Sequence, residues 1–184
     1  MNAIISLLPE PYYQIVEQLW DKLENEVGLR GIRAVPYPHF SWQGAIEYEE
    51  KGLELILRTM ADLSKPIKVQ TSGLGLFTGK SPVLFINVIK SPQLMRMHQQ
   101  IWSGVRPIGK GFNLYYEPEV WQPHISLAMD DVTPEKIGPV MKELSTMDFN
   151  WTFEVDNFSY YVSDSPAGRI KHKFLFGQKT QTKY

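Results

Sequence analysis

The chain has 184 residues and contains no cysteine. Disulfide bonds, thiolate nucleophiles and zinc sites with cysteine ligands are therefore excluded. The sequence also lacks any apolar run that approaches the roughly 20 residues of a membrane-spanning helix. Its first residues, MNAIISLLPEP, lack the basic start and the small-residue cleavage site of a signal peptide. From these absences we expect a cytoplasmic protein that does not associate with membranes.

Acidic residues are missing from two stretches of the chain, from Leu63 to Tyr116 and after Asp164. These stretches contain twelve lysines and arginines, although the net charge of the whole protein is only −1. Such segregation can create a surface that attracts an anion. Charge alone more often reflects unrelated solvated side chains, so the basic residues of 63–116 and 169–173 are candidates for an anion-binding cleft only as a group.

Histidine is scarce as well, and two of the four histidines stand in the same short phrase. PHFS occupies positions 38–41, and PHIS occupies positions 123–126. Side chains alternate across a β-strand, so residues i and i+2 share one face and lie about 7 Å apart. If both phrases are strands, His39 lies beside Ser41 and His124 lies beside Ser126, while the apolar residues between them face the core.

The order of the predicted elements also repeats. Hydrophobic periodicity and turn residues predict strand, helix, His-containing strand, helix and strand over 3–78, and the same five elements over 83–162. The offset of about 83 residues is too long for a solenoid repeat. Trp20 and Trp102 occupy matching places in the two copies. We therefore predict a single domain, residues 1–184, built from two halves at about 1–80 and 81–184.

The spacing of apolar residues predicts an α+β fold. Ser91 and Thr133, each followed by proline, are typical helix N-caps. The last predicted strand has no counterpart in the second copy and is expected to pair back onto the sheets. The predicted strands are 3–8, one around His39, 68–78, 83–89, one around His124, 150–162 and 169–176; the predicted helices run from Pro11 to Gly28, over 49–63, from Pro92 onward and from Pro134 to about Met147.

Two imidazoles and two hydroxyls in one cleft are suited to phosphodiester chemistry. Cleavage requires one oxygen to lose a proton and another to gain one on opposite sides of phosphorus. Histidine, with an unperturbed pKa of about 6.5, can take either role near neutrality. The serine hydroxyls can donate hydrogen bonds to the non-bridging phosphate oxygens. The sequence contains no plausible carboxylate–histidine cage for a metal, so we expect neither a metal nor another cofactor.

With these motifs the chain resembles the 2H phosphoesterase superfamily, whose members carry two His-x-(Ser/Thr) motifs. The resemblance covers nearly the whole chain, since LGLFTGKSPVLFINVIKSPQLMRMHQQIW and YYVSDSPAGRIKHKFLF are also similar to the family's hairpins. It implies a bilobal α+β fold, with two pseudo-twofold-related βαβαβ halves and antiparallel sheets around a central cleft. It further implies that His39 and His124 are the acid–base pair and that Ser41 and Ser126 bind the phosphate.

The function that the resemblance implies is a metal-independent phosphodiesterase that opens the 2′,3′-cyclic phosphate of a nucleotide or an RNA end. Which histidine acts as the base stays open. Two alternatives use the same cleft: 2′-5′ RNA ligase activity, with the same residues acting in reverse, and nucleotide binding without turnover. In each case the partner is a nucleotide or an RNA terminal phosphate, and we expect a monomer with no obligate protein partner.

Aromatic residues near the two motifs are candidates for stacking on a nucleobase. Tyr37 precedes the first motif, while Tyr115, Tyr116 and Trp121 precede the second. Stacking of this kind contributes about 1–3 kcal/mol per base. Ordinary packing of these loops explains the same residues equally well, so Tyr37, Tyr115 and Trp121 are only candidate substrate-binding residues.

The other two histidines have a structural interpretation. His98 shares the apolar side of a predicted helix, so we expect it in the core. His172 alternates with apolar residues on a predicted strand, and a structural role is favoured there over a place in the cleft.

Overall fold

The computed structural model describes residues 1–164 and 168–178. Within these ranges the chain forms four α-helices and nine β-strands, with three short 3-10 turns between them. The helices are α1 (Tyr12–Val27), α2 (Glu50–Leu63), α3 (Pro92–Val105) and α4 (Pro134–Leu144); the strands are β1 (Asn2–Leu7), β2 (His39–Tyr48), β3 (Ile67–Phe77), β4 (Val83–Val88), β5 (Gly109–Phe112), β6 (His124–Ala128), β7 (Thr152–Val155), β8 (Asn157–Val162) and β9 (Arg169–Leu175).

Three residues were predicted to begin or end helices: Gly28, Ser91 and Thr133. Gly28 and Ser91 do so as predicted, and Thr133 makes no side-chain cap. Ser91 Oγ accepts a hydrogen bond from the Leu94 N–H (3.1 Å) at the start of α3, as predicted. Helix α1 ends at Gly28, whose φ of 69° is a conformation that glycine adopts readily. Thr133 precedes α4 without a side-chain cap, and this helix ends at Leu144, earlier than predicted.

None of the helices in residues 1–164 and 168–178 has the length and the apolar character needed to cross a membrane.

The strands form two antiparallel sheets. The first has the order β5-β2-β1-β8-β9 and the second has the order β6-β4-β3-β7. Helices α2 and α3 pack on the first sheet, whereas α1 packs on β6 of the second sheet with α4 beside it. These layers confirm the prediction of an α+β fold with antiparallel sheets.

The two predicted halves exchange their third strands. β3 belongs to the first half but pairs with β4 of the second, and β8 belongs to the second half but pairs with β1 of the first. The predicted boundary near residue 80 therefore falls in a hairpin between two paired strands. The order of elements could not show this, because strands that pair need not be neighbours in the repeat. We propose that this interlocking holds residues 1–184 together as one domain.

Two predicted segments differ from the structure. β5 lies in a segment predicted as a loop, because its sequence Gly-Lys-Gly-Phe has too little alternation to indicate a strand. The predicted strand 150–162 is divided at Asp156 into β7 and β8, which belong to different sheets. The final strand, β9, pairs with β8, so it does return to the sheets as predicted.

A buried polar network lies behind the strand of the first motif. Trp42 Nε1 donates to Ser6 Oγ (2.7 Å), and Ser6 Oγ donates to the Asn157 carbonyl (2.5 Å). The Asn157 carboxamide accepts from the Leu7 N–H and donates to the Leu7 carbonyl, both at 3.0 Å. Because Leu7 pairs with His39 between β1 and β2, Asn157 helps to fix the start of the motif strand.

We predict that Asn157→Ala lowers the free energy of unfolding by about 2–4 kcal/mol, because it leaves two part-buried backbone groups of Leu7 and the buried Ser159 hydroxyl without their partner. Asn150→Ala is the matched control, since the Asn150 carboxamide donates only to exposed Asp148, and its effect should stay below about 1 kcal/mol. Urea unfolding measures both variants. Equal losses of stability would contradict the role assigned to Asn157.

Candidate active site

The two motifs begin two strands of similar design. His39 is the first residue of β2, and His124 is the first residue of β6. The histidines and the serines two positions later are half-buried, while the residues between and after them are fully buried. This alternation is the one expected from the sequence, with the His-x-Ser face directed away from the core. The fully buried residues are Phe40, Trp42, Ile125 and Leu127, each 0% exposed.

The structure brings the two motifs together. β2 and β6 lie in contact although they belong to different sheets. Trp121, just before β6, donates its indole N–H to the Ser41 carbonyl on β2 (3.1 Å). His124 is close enough to His39 for its charge to lower the pKa of His39. The two imidazoles therefore belong to one site, with one ring supplied by each sheet.

The same hydrogen bond orients both imidazoles. His39 Nδ1 lies 2.5 Å from the Tyr37 carbonyl, and His124 Nδ1 lies 2.7 Å from the Gln122 carbonyl. A carbonyl oxygen can only accept a hydrogen bond, so each Nδ1 must carry the hydrogen. In the neutral ring Nε2 is then the lone-pair nitrogen. Both rings are thus fixed in one tautomer, and Nε2 is the nitrogen able to exchange a proton with a ligand.

The proline before each histidine supports this geometry. The Pro38 carbonyl accepts from the Leu8 N–H (3.0 Å), and the Pro123 carbonyl accepts from the Val88 N–H (3.2 Å). In each motif the carbonyl two residues before the histidine accepts from the imidazole. The carbonyl of the intervening proline bonds to the end of the neighbouring strand. Proline restricts its own backbone and the residue before it to extended conformations, which favours this arrangement.

Burial keeps both rings neutral in the unliganded protein. Desolvation, helped by the charge of His124 and opposed by the Tyr37 carbonyl, lowers the pKa of His39 to about 4. Desolvation also lowers the pKa of His124, and the Gln122 carbonyl opposes that shift. A phosphate placed between the rings would add negative charge and favour the imidazolium form.

The surroundings of His124 contain groups that were not identified from the sequence. The rings of Phe77 and Phe85 lie 4.9 Å and 5.1 Å from the His124 ring. Asn87 is directly opposite His124 in the β4–β6 pairing, and its Oδ1 accepts from Gln122 Nε2 (2.7 Å). No motif marks these residues, since only the register of the hairpin brings them to the site.

The surroundings of Ser41 include Tyr116, which lies between β5 and β6. The Tyr116 hydroxyl lies within hydrogen-bonding reach of the Ser41 side chain, which opposes the rise in the pKa of Tyr116 caused by burial. Its neighbour Tyr115 is 82% exposed. The ring of Tyr37 packs edge-on against Tyr161, 6.3 Å away. Tyr37 and Tyr115 therefore stay predictions as substrate contacts, and Tyr116 has the stronger structural case.

The expectation that Trp121 stacks on a nucleobase is corrected by its position. Trp121 is 1% exposed, and its ring lies between those of Trp42 (5.7 Å) and His98 (3.8 Å). Both faces of the indole are thus occupied by protein. His98 is also 1% exposed, which confirms its predicted place in the core, and burial lowers its pKa to about 4.

Several cations of the acid-free stretches are paired with carboxylates from elsewhere. Lys171 Nζ lies 2.6 Å from Glu50, and His172 Nε2 lies 3.5 Å from the same carboxylate, which places His172 at a surface ion pair as the structural interpretation suggests. Among the described residues, no cluster of three or more His, Asp or Glu is arranged to hold a metal ion. Other cations in ion pairs are Lys110, with Glu47 at 3.9 Å, and Arg169, with Asp164 at 2.7 Å.

An open groove of about 840 Å³ lies between α2 and α3, apart from the motif residues. Its lining is mainly apolar and uncharged, with Arg96 as its charged member. The groove contains neither a histidine nor a carboxylate, so the acid–base chemistry belongs to the motif site.

We predict that both motif histidines carry hydrogen on Nδ1 and that His39 titrates near pH 4 in the unliganded protein. Two-dimensional ¹⁵N–¹H spectra of the imidazoles, recorded from about pH 3 to pH 8, distinguish the tautomers and show where each ring titrates. An Nε2–H tautomer, or a pKa of His39 above about 6.5, would contradict the geometry.

Comparisons with known proteins match most of the chain. The profile of the 2′-5′ RNA ligase superfamily matches residues 11–167. A Bacillus licheniformis protein with a provisional phosphoesterase name is 25% identical over 145 residues, covering 76% of this chain and 80% of its own.

Solved structures share the fold at low sequence identity. The protein TT0787 of Thermus thermophilus superposes with a TM-score of 0.60 and 16% identity, covering 96% of this chain and 97% of its own. LigT of E. coli, solved in complex with 3′-AMP, superposes with a TM-score of 0.59 and 18% identity, covering 96% of this chain and 98% of its own. At these identities the likeness establishes the LigT-like fold alone.

Proposed function

Since the chain belongs to the 2′-5′ RNA ligase superfamily, whose members act on phosphoesters, we propose that it opens 2′,3′-cyclic phosphates on nucleotides or RNA ends. The observation that carries this proposal is the pair of His-x-Ser strands, with both rings held through Nδ1 so that both Nε2 atoms are available. A phosphodiester needs two such groups on opposite sides of phosphorus. The supply of one ring by each sheet supports such an arrangement.

The reaction follows from the protonation states of the two rings. One neutral imidazole accepts a proton at Nε2 from the attacking water, and the other, protonated, donates from Nε2 to the leaving ribose oxygen. The water oxygen forms the new bond to phosphorus as the bond to the ribose oxygen breaks, which leaves a phosphomonoester and a free hydroxyl. Ser41 and Ser126 donate hydrogen bonds to the non-bridging oxygens, where negative charge increases in the transition state.

Two alternatives use the same residues. In 2′-5′ RNA ligase activity the reaction runs in reverse, and the acid and base exchange roles. In a nucleotide-binding module the site binds its ligand without turnover. The complex of E. coli LigT with 3′-AMP supports a nucleotide as the ligand class for this fold. A cytoplasmic location and a monomeric state are parts of the proposal.

We predict that His39→Ala and His124→Ala each lower kcat on 2′,3′-cyclic mononucleotides by about 10²–10⁴-fold, because each removes one proton-transfer group. Ser41→Ala and Ser126→Ala should cost about 10²-fold, the size typical of one lost oxyanion donor. The measurement is hydrolysis of the four cyclic nucleotides, ADP-ribose cyclic phosphate and short RNA ends. His172→Ala serves as the control, since its ring is paired with Glu50.

The panel also separates the alternatives. Tight binding of a mononucleotide without turnover of any cyclic phosphate would select the binding module, and joining of RNA ends would select the ligase. Turnover should persist in the presence of a chelator, because histidines and serines perform every step of the proposed reaction. Full activity of either His→Ala variant would refute the assignment.

We predict a bell-shaped dependence of kcat/KM on pH with its maximum on the acid side of pH 6.5. This parameter reports the pKa values of the free enzyme, and burial lowers both histidine pKa values below the ordinary 6.5. Activity should rise as the base loses its proton and fall as the acid loses its own. In the complex the phosphate raises both pKa values, so kcat should peak at higher pH than kcat/KM. A kcat/KM that still increases above pH 7.5 would contradict this prediction.

A further inference from the structure

Two buried tryptophans make the same unusual hydrogen bond to the two motif serines. Trp121 Nε1 donates to the Ser41 carbonyl, and Trp20 Nε1 donates to the Ser126 carbonyl, both at 3.1 Å. The arrangement is crossed, because each tryptophan belongs to the half opposite its serine. Trp20 lies on α1 and reaches β6, whereas Trp121 precedes β6 and reaches β2.

The serine carbonyls stand where the sheets provide fewer partners. β6 is an edge strand whose only paired neighbour in the described residues is β4. β2 has β1 along its length, but its pairing with β5 is limited to Ala45, Glu47 and Tyr48, beyond Ser41. The indole N–H groups therefore replace a missing strand at these two positions. A backbone carbonyl in such a place needs a partner when water cannot reach it.

Both indoles are held rigidly by their surroundings. Trp121 is stacked between Trp42 and His98, with interplanar angles of 21° and 11°. Trp20 is 2% exposed, and the Arg33 guanidinium lies 5.5 Å from the centre of its ring. A side chain packed in this way has one rotamer, so its N–H holds the serine backbone at a fixed position.

We propose that Trp20 and Trp121 are positioning residues that set the two motif serines, and the histidines two residues before them, at a fixed spacing across the site. Neither indole touches the reacting atoms, so each acts through its serine. The crossed bonds tie the position of each half-site to the opposite half of the chain. This inference rests on the proposed function, because its main test measures kcat.

The test uses Trp121→Phe and Trp20→Phe, which keep an aromatic ring and remove the N–H. We expect kcat to fall by about 10–10²-fold, the effect typical of misplaced reacting groups. KM should change by a smaller factor than kcat, because the hydroxyls that bind the phosphate remain present but are displaced. Trp151→Phe is the matched control: its Nε1 also donates to a carbonyl, that of Asp148 (3.0 Å), away from the motifs. This control should keep the wild-type kcat.

Double-mutant cycles identify the path of the effect. Alanine at position 41 keeps the carbonyl that Trp121 holds, so in a Ser41→Ala background Trp121→Phe should lose only the part of its effect that acts through the Ser41 hydroxyl. In a Ser126→Ala background it should keep its full effect. Trp20→Phe should show the opposite pattern. Additive losses in all four combinations, or a lower melting temperature with wild-type kcat in both single variants, would overturn the inference.

The failure of the proposed function has a different signature. In that case the wild-type protein itself turns over no cyclic phosphate, and the same cycles are measured on the Kd for 3′-AMP. The crossed pattern in Kd would then support the positioning role without the reaction. Additivity in Kd would overturn it.

Discussion

The hydrogen bond between each motif imidazole and the carbonyl two residues before it is the constraint on which the rest of the site depends. It fixes the ring, and it fixes the tautomer, so that the nitrogen facing a ligand is Nε2 in both copies. With both rings fixed in this way, each one offers Nε2 for proton exchange with an oxygen of a bound phosphate. The proline before each histidine, the strand that follows and the buried Phe40 and Ile125 all serve to hold this pair of bonds in place.

The two half-sites are alike in backbone and unlike in side chains. Opposite His39 stands Leu7, and opposite His124 stands Asn87. A cyclic phosphate is itself asymmetric, with a nucleoside on one side and the attacking water on the other. Duplication supplies the two rings, and the divergence of the opposing strands gives the site two distinguishable sides. Under the proposed function, this divergence lets a pseudo-symmetric fold accommodate an asymmetric substrate.

The sequence predicted the parts of the site that depend on local spacing. His39 and Ser41 share a face because strands alternate, and a single sequence reveals that period. Asn87 and Phe77 could not be predicted, because their places depend on the register of hairpins. For Trp121 the sequence left base stacking and ordinary packing open, since a loop aromatic looks the same whether buried or exposed, and its 1% exposure favours packing. The repeat offset paired Trp20 with Trp102. In the structure the counterpart of Trp20 is Trp121, because Trp20 donates to the Ser126 carbonyl and Trp121 donates to the Ser41 carbonyl.

Because the histidines are buried, the protein becomes less stable as the pH falls, whereas the proposed reaction needs one of them protonated. The pKa values of His39 and His98 are about 4 in the folded protein and about 6.5 when unfolded. A lowered folded pKa contributes stability that is present above pH 6.5 and is lost as the pH falls toward 4. The reaction, however, needs one protonated ring, which the free protein acquires only in that same range. In the proposed reaction a bound phosphate resolves the conflict, because its negative charge stabilises the imidazolium in the folded protein. The acid can then form at a pH where the protein is stable.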